Sequence, residues 1–357
     1  MRPSSSSARW KWTALLLYLG CTLWALRVIL PAPATLLPHI GGLSGYWDAL
    51  VQGDQYFSVA KVTHDARMLV REPWRLMEGR HCWPLPRATT LGEHMIGEGL
   101  VGVVPDLVFH EPILTYNVVL LLLPVIAGLT MYAFVLGFTG SAPAALVAGL
   151  LFAIHPARLG NAAEPYWMGN HWTPLALLFA YRLFTRRRWG DALGLAVFTS
   201  LQLLDSFYPI MAFALIGGTY MVALLVHERR AIAPLASKLL VVGAIVFAVS
   251  WFVFVPYLRT RATWDTLLAG RAGQLYTARD LVLGGGLYPG TVMTVLAVVG
   301  IADGLRRARH TGDYDPRIPL LVGALLVLWA VLDEVPVPLV HWRVPSLLRL
   351  LNGVVPG

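Results

Sequence analysis

Eight side chains in this sequence combine a reactive type with a suggestive setting: Asp54, Glu93, His94, His155, Arg158, His171, Arg259 and Arg261. Asp54 stands in Leu50-Val-Gln-Gly-Asp-Gln-Tyr-Phe, after a glycine and before a helix-like stretch that runs to Leu69. A carboxylate there can take the proton of an acceptor hydroxyl as a general base. It can also be the N-cap of the helix that follows, since aspartate is a preferred cap, and the two roles are compatible. Glu93 and His94 lie in Thr90-Leu-Gly-Glu-His-Met, beside a run with Gly97, Gly99 and Gly102. Such a pair can share a proton, bind a divalent cation or hold a phosphate. Adjacent residues do not share a helix face, so the pair alone makes no two-ligand metal site. An ordinary solvated loop is the alternative.

His155 and Arg158 come from Phe152-Ala-Ile-His-Pro-Ala-Arg-Leu-Gly-Asn, and His171 from Glu164-Pro-Tyr-Trp-Met-Gly-Asn-His-Trp-Thr-Pro. The planar fork of Arg158 suits a phosphate, although Arg and Trp also collect at headgroup depth as plain anchors. Arg259 and Arg261, with Arg271 and Arg279, put four cations into one loop, which points to an anionic ligand such as a lipid phosphate or pyrophosphate. The segment His341-Trp-Arg-Val-Pro offers another cation. The sequence holds no Walker-type phosphate loop, no Cys/His zinc spacing and no Gly-x-Ser-x-Gly elbow.

The elements that must position these groups are membrane spans. Of the 357 residues, 57% are hydrophobic and 13% charged, and the mean hydropathy is +0.62. A water-soluble globule has nowhere to put that much apolar surface. Candidate spans, several of them short, lie near 12–31, 114–137, 142–157, 172–185, 190–204, 208–226, 238–257, 290–304 and 318–335. The expected fold is therefore all-α, one transmembrane domain over residues 1–357 with about nine helices.

The net charge of +8 is a topology signal and not a nucleic-acid footprint, because the cations fall between the apolar runs. Arg2, Arg9 and Lys11 precede the first run, and Arg182 with Arg186 to Arg188, Arg229 with Arg230, and Arg306, Arg307 and Arg309 follow others. A cytoplasmic N-terminus puts these clusters inside. Everything polar and irregular is then external, above all a loop over 33–112 expected to lie on the membrane as one or two amphipathic helices, and a second loop over 258–289. The first run followed by Pro31-Ala-Pro-Ala also has the look of a signal peptide, but it is long enough to span. Cys21 falls in an apolar run and Cys82 in a polar loop, so they are not expected to pair. No internal repeat is apparent, which disfavours transporters built from duplicated halves.

In order, the chain shows Gly53-Asp54 early in a long external loop, Gly-Glu-His late in it, and Tyr116-Asn117 opening the next span. A small-residue span ending His-Pro-Ala-Arg-Leu, a Trp-Thr-Pro-Leu entry, and Leu201-Gln-Leu-Leu-Asp-Ser-Phe-Tyr follow. Over residues 45 to 260 this series resembles bacterial polytopic glycosyltransferases of the GT-C superfamily. The resemblance implies an inverting hexosyltransferase in the bacterial cytoplasmic membrane. It would take a sugar from a polyprenyl-phosphate donor and pass it to a glycan, lipid or protein acceptor at the extracytoplasmic face.

It places the base at Asp54, with Glu93 and His94 assisting the acceptor or the phosphate, and substrate contacts at His155, Arg158, His171, Arg259 and Arg261. The metal-dependent members carry an Asp-x-Asp or Glu-x-Asp pair that this loop lacks, so a Mg or Mn requirement is left open. Related chains often run longer, and the end at Val354-Val-Pro-Gly fits a fragment. The rival class is a secondary transporter or a flippase for lipid-linked substrates, which calls for ionisable residues in mid-span and broken helices.

Overall fold

The computed structural model describes residues 5–38, 46–79, 84–160, 164–268, 291–311, 317–331, 334–337 and 342–345. They are overwhelmingly helical, and each apolar segment expected to span falls on a helix. These are α1 (Ser5–Ala25), α4 (Pro112–Thr139), α5 (Ala142–Ala153), α7 (Thr173–Arg186), α8 (Trp189–Asp205), α9 (Phe207–His227), α10 (Ile232–Leu268), α11 (Thr291–Thr311) and α12 (Arg317–Val331). Four stretches are long and apolar enough to cross a membrane: Pro112–Thr139, Ala142–Gly160, Phe207–His227 and Arg229–Thr260. At 1.5 Å per residue, α7 and α8 reach about 21 and 25 Å, short of a hydrocarbon core of about 30 Å. The last expected span ends early, and β1 (Glu334–Val337) pairs antiparallel with β2 (Trp342–Pro345), Val335 opposite Val344.

The long first loop holds two helices, α2 (Tyr46–Arg71) and α3 (Ile96–Phe109). Asp54 sits in the third turn of α2, so it does not cap that helix. The five-residue α6 (Pro156–Gly160) follows α5 because Pro156 cannot continue the helix hydrogen bonds and biases His155 away from helical backbone.

The chain divides into two compact units, Met1–Ile210 with Ala233–Thr260, and Met211–Ile232 with Arg261–Gly357. In the second, Gly323 of α12 lies directly against the backbone of Ile216 in α9. In the first, α4 packs against α1, α2, α3, α5 and α7. Small residues permit that closeness, as is common between membrane helices. The Tyr18 ring of α1 fits where Gly128 of α4 and Gly149 of α5 leave no side chain, and its hydroxyl donates to the Leu146 carbonyl (3.0 Å). Asn117 fixes the chain after α1 by donating to the Pro33 and Leu36 carbonyls, each at 2.7 Å.

Gly97 and Gly99 serve the same purpose in α3. A Cβ on Gly97 would overlap the Asp205 carboxylate of α8, and one on Gly99 would come within 2.5 Å of the Asp65 Cβ of α2. The glycine-rich run beside Glu93 and His94 therefore seats α3 between α2 and α8.

Candidate functional site

The polar groups of the first unit gather at one end of its helices: the α3 and α7 starts, the α8 end, the first turn of α9 and the far end of α10. They form an outer group around Asp54 and an inner group beneath α3.

Asp54 is exposed on α2 and hydrogen-bonds Glu164, which opens the 3-10 turn Pro165–Met168. Partial burial raises both carboxyls above their ordinary values. The Asp54 charge raises Glu164 further, and the hydrogen bond from Glu164 pulls Asp54 back. The two carboxyls are thus coupled through one hydrogen bond. Glu164 also accepts from the Trp167 indole N–H (2.8 Å), which pins a ring that stacks on Tyr208 of α9 with centroids 3.8 Å apart. Tyr166 flanks the same Tyr208 ring at 6.0 Å. Trp167 and Tyr208 keep 42% and 49% of their surface open, so the acid pair borders an accessible aromatic slab.

Glu93 and His94 diverge, as adjacent residues in non-helical backbone should. The Glu93 carboxylate accepts from the Phe207 amide at 2.6 Å and caps the start of α9, one residue from Tyr208. Burial nonetheless raises Glu93 to about 7, with the Phe207 bond opposing. His94 is fully buried, its Nε2 at 3.0 Å from the Leu203 carbonyl, with Phe207 and Tyr257 edge-on. Burial lowers it to about 4, so it is neutral at pH 7. Both residues hold the α8–α9 corner in place, and Glu93 lies within electrostatic range of Tyr208 together with Asp54 and Glu164.

Arg158 is buried and ties down the loop that carries Glu164. It donates to the Phe152 carbonyl (3.1 Å), the Met168 carbonyl (2.7 Å) and the Asn170 side chain, and lies over the Phe152 ring. His155 is half-buried where α6 begins, its carbonyl accepting from the Arg158 and Leu159 amides. His171 is fully buried with Nε2 at 3.5 Å from Asp205 Oδ1. Arg259 is exposed beside Thr260, whose hydroxyl meets Thr90 (2.6 Å) and Arg87 (3.3 Å). Arg261 continues α10. Arg271, Arg279, His341 and Cys82 lie outside the described residues.

The inner group went unread in the sequence. Lys61 and Asp65 form a fully buried pair at 2.5 Å within α2. Glu98 and Asp205 are fully buried as well, and both press on Gly169: a Cβ there would stand 2.9 Å from the Asp205 Cβ and 3.3 Å from Glu98 Oε1. Gln202 accepts from the Thr173 amide and hydroxyl (2.9 and 2.7 Å) and donates to the Gly169 carbonyl. The i,i+4 spacing of Lys61 and Asp65 was visible in the sequence. No spacing joins Asp54 to Glu164 or Glu98 to Asp205.

Among the described residues no three His, Cys, Asp or Glu side chains converge as a metal-ligand set. No protein-family model and no curated protein matches the chain.

Proposed function

We propose that the chain is a GT-C-like membrane glycosyltransferase with about nine spans. It would move a hexose from a polyprenyl-phosphate donor to an acceptor at the extracytoplasmic face of a bacterial cytoplasmic membrane. The observation that carries this reading is the Asp54–Glu164 pair beside the Trp167–Tyr208 slab. A sugar presents a ring face to an aromatic surface and hydroxyls to carboxylates, and this group supplies both within one accessible patch.

In the reaction, the acceptor oxygen forms a bond to the anomeric carbon while the bond from that carbon to the phosphate oxygen breaks. The lipid phosphate leaves with the electron pair, and the acceptor proton passes to Asp54. Direct displacement inverts the anomeric centre. The hydrogen bond from Glu164 draws the Asp54 carboxyl back toward its ordinary range, and Arg158 holds the loop that carries Glu164. Arg259 is the cation assigned to the leaving phosphate, whose charge must be compensated.

A transporter or flippase calls for ionisable groups at mid-depth. Of the apolar spans, α4 holds no Asp, Glu, Lys, Arg or His and α9 only His227 at its end, while α10 carries Lys238. The test supplies purified protein in lipid with a panel of labelled polyprenyl-phosphate sugars and follows lipid-phosphate release, with a chelator arm. Release supports the proposal. Movement of intact donor between leaflets without release replaces it with the flippase reading.

A further inference from the structure

We infer that Glu98 and Asp205 form a buried proton-binding site, its proton held between α3 and α8 and released when α3 parts from α8. This site is separate from the transfer chemistry at Asp54 and uses residues to which that chemistry gives no part.

Glu98 is fully buried, and among the described residues neither of its carboxylate oxygens has a side-chain or neighbouring backbone partner. It is aimed at Gly169 beside Asp205, whose Oδ1 also lacks a hydrogen bond. Each neighbouring element supplies groups that bear on its charge. From α2 come Lys61 and Asp65, already paired with each other at 2.5 Å. From the segment before α3 comes Glu93, a like charge that disfavours ionised Glu98, with His94, fully buried and bonded to Leu203.

From α6 comes Arg158, its guanidinium bonded to the Met168 and Phe152 carbonyls and Asn170 while acting on Asp205 from a distance. From the turn before α7 comes His171, kept neutral by burial. Among the described residues Lys61 is the cation that favours ionised Glu98, and it is already paired with Asp65. A lone buried carboxylate takes a proton instead of staying charged, and burial together with Glu93 and Asp65 raises Glu98 well above the ordinary carboxyl range.

The site also lies at a tight packing contact. Gly97 lies against Asp205 and Gly99 against Asp65, so α3 cannot part from α8 or α2 without wetting Glu98. Once wet, the carboxyl ionises and α3 cannot reseat until it is reprotonated. Parting of α3 is thereby linked to proton release, and alkaline pH favours the parted state.

The test is infrared difference spectroscopy on the full chain in lipid nanodiscs, comparing the wild type with Glu98→Gln and Asp205→Asn from neutral to alkaline pH. The expected result is a protonated-carboxyl C=O component at neutral pH that is missing from Glu98→Gln, shifted in frequency in Asp205→Asn and fading as pH rises, the bands of the other carboxyls being common to all three proteins and cancelling in the difference. Hydrogen exchange of α3 amides, corrected for intrinsic rates, should speed up by about tenfold per pH unit over the same range in the wild type and stay slow in Glu98→Gln, as release of one proton requires.

Absence of any such band at neutral pH overturns the inference. So does a band whose loss at fixed pH follows added Na, K or Mg, since a cation would then occupy the site. Should Glu98→Gln fail to insert, Asp205→Asn and the wild-type exchange profile decide the matter. None of these readouts depends on sugar transfer.

Discussion

Replacing Gly97 by Ala should destabilise the protein more than any other single methyl added to α3. The new Cβ would overlap the Asp205 carboxylate and stand 3.0 Å from Asp205 Cγ and 3.1 Å from its Cα, so both side chain and backbone of α8 stand in the way. Asp205 cannot swing aside, because the backbone of Gly169 closes its other flank. Overpacking of a tight contact costs about 1–3 kcal/mol, and a clash that involves backbone belongs at the upper end. Alanine recovers less than about 1 kcal/mol in helix propensity. The net expectation is a loss of about 2 kcal/mol, or on the order of 5 °C in melting temperature for a unit of this size.

The control is Gly53→Ala in α2, where a Cβ meets nothing within 4 Å. That variant should gain up to about 1 kcal/mol from propensity alone. Scanning fluorimetry of both variants and the wild type in one detergent makes the comparison. A Gly97→Ala protein that melts with the wild type, or a Gly53→Ala protein that melts lower than Gly97→Ala, would refute the packing of α3 between α2 and α8.

Glu164→Ala removes the hydrogen bond that pulls Asp54 down, so the acid limb of the pH–rate profile should move to higher pH, whereas Glu164→Gln keeps a donor and leaves the limb near its original position. Arg158→Ala frees three buried acceptors at about 1 kcal/mol or more each. It should lower thermal stability and kcat while leaving KM for the lipid-phosphate donor near the wild-type value, because the guanidinium holds its own loop and not the donor. Glu93 has a folded pKa of about 7 against an ordinary 4.5, so the folded state binds the extra proton and stability falls as pH rises through that window. Unfolding of Glu93→Gln across those pH values should show a shallower fall. His94 and His171 act in the opposite sense: lowered to about 4 and about 3 from 6.5, they make stability fall as pH drops below 6.5, which a fluorescence-monitored acid titration reads directly.

The sequence made the helices legible because runs such as Val118–Leu129 carry no charged or hydrogen-bonding side chain, and every segment expected to span is helical. Their spanning lengths were less legible, since Pro156 and the Arg186–Arg188 cluster cut segments that hydropathy alone would extend. The N-cap reading of Asp54 failed because Gly53 looks like a helix boundary, yet a solvent-facing glycine costs a helix only about 1 kcal/mol and α2 starts earlier, at Tyr46. The β1–β2 hairpin was missed because its Val-Pro-Val and Trp-Arg-Val runs continue the apolar character of α12.

At the site, Asp54 was readable as a candidate acid one residue at a time. The pairing of Asp54 with Glu164, the capping of α9 by Glu93 and the seating of α3 on Asp205 arise only once α2, α3, α8 and the Glu164 loop are packed. His94 and Arg158 show the same limit. Their types suggested contact with a ligand, and their surroundings show them bonded to the carbonyls of Leu203, Phe152 and Met168.

The central claim rests on Asp54 as the group that takes the acceptor proton. The most direct measurement is the rate of lipid-phosphate release from a labelled polyprenyl-phosphate hexose by the wild type and Asp54→Asn, with melting temperature showing that both are folded. Removing a positioned general base costs about 10²–10⁴ in rate. The account predicts a loss of at least about 10²-fold with an unchanged melting temperature, and equal rates for the two proteins would contradict it.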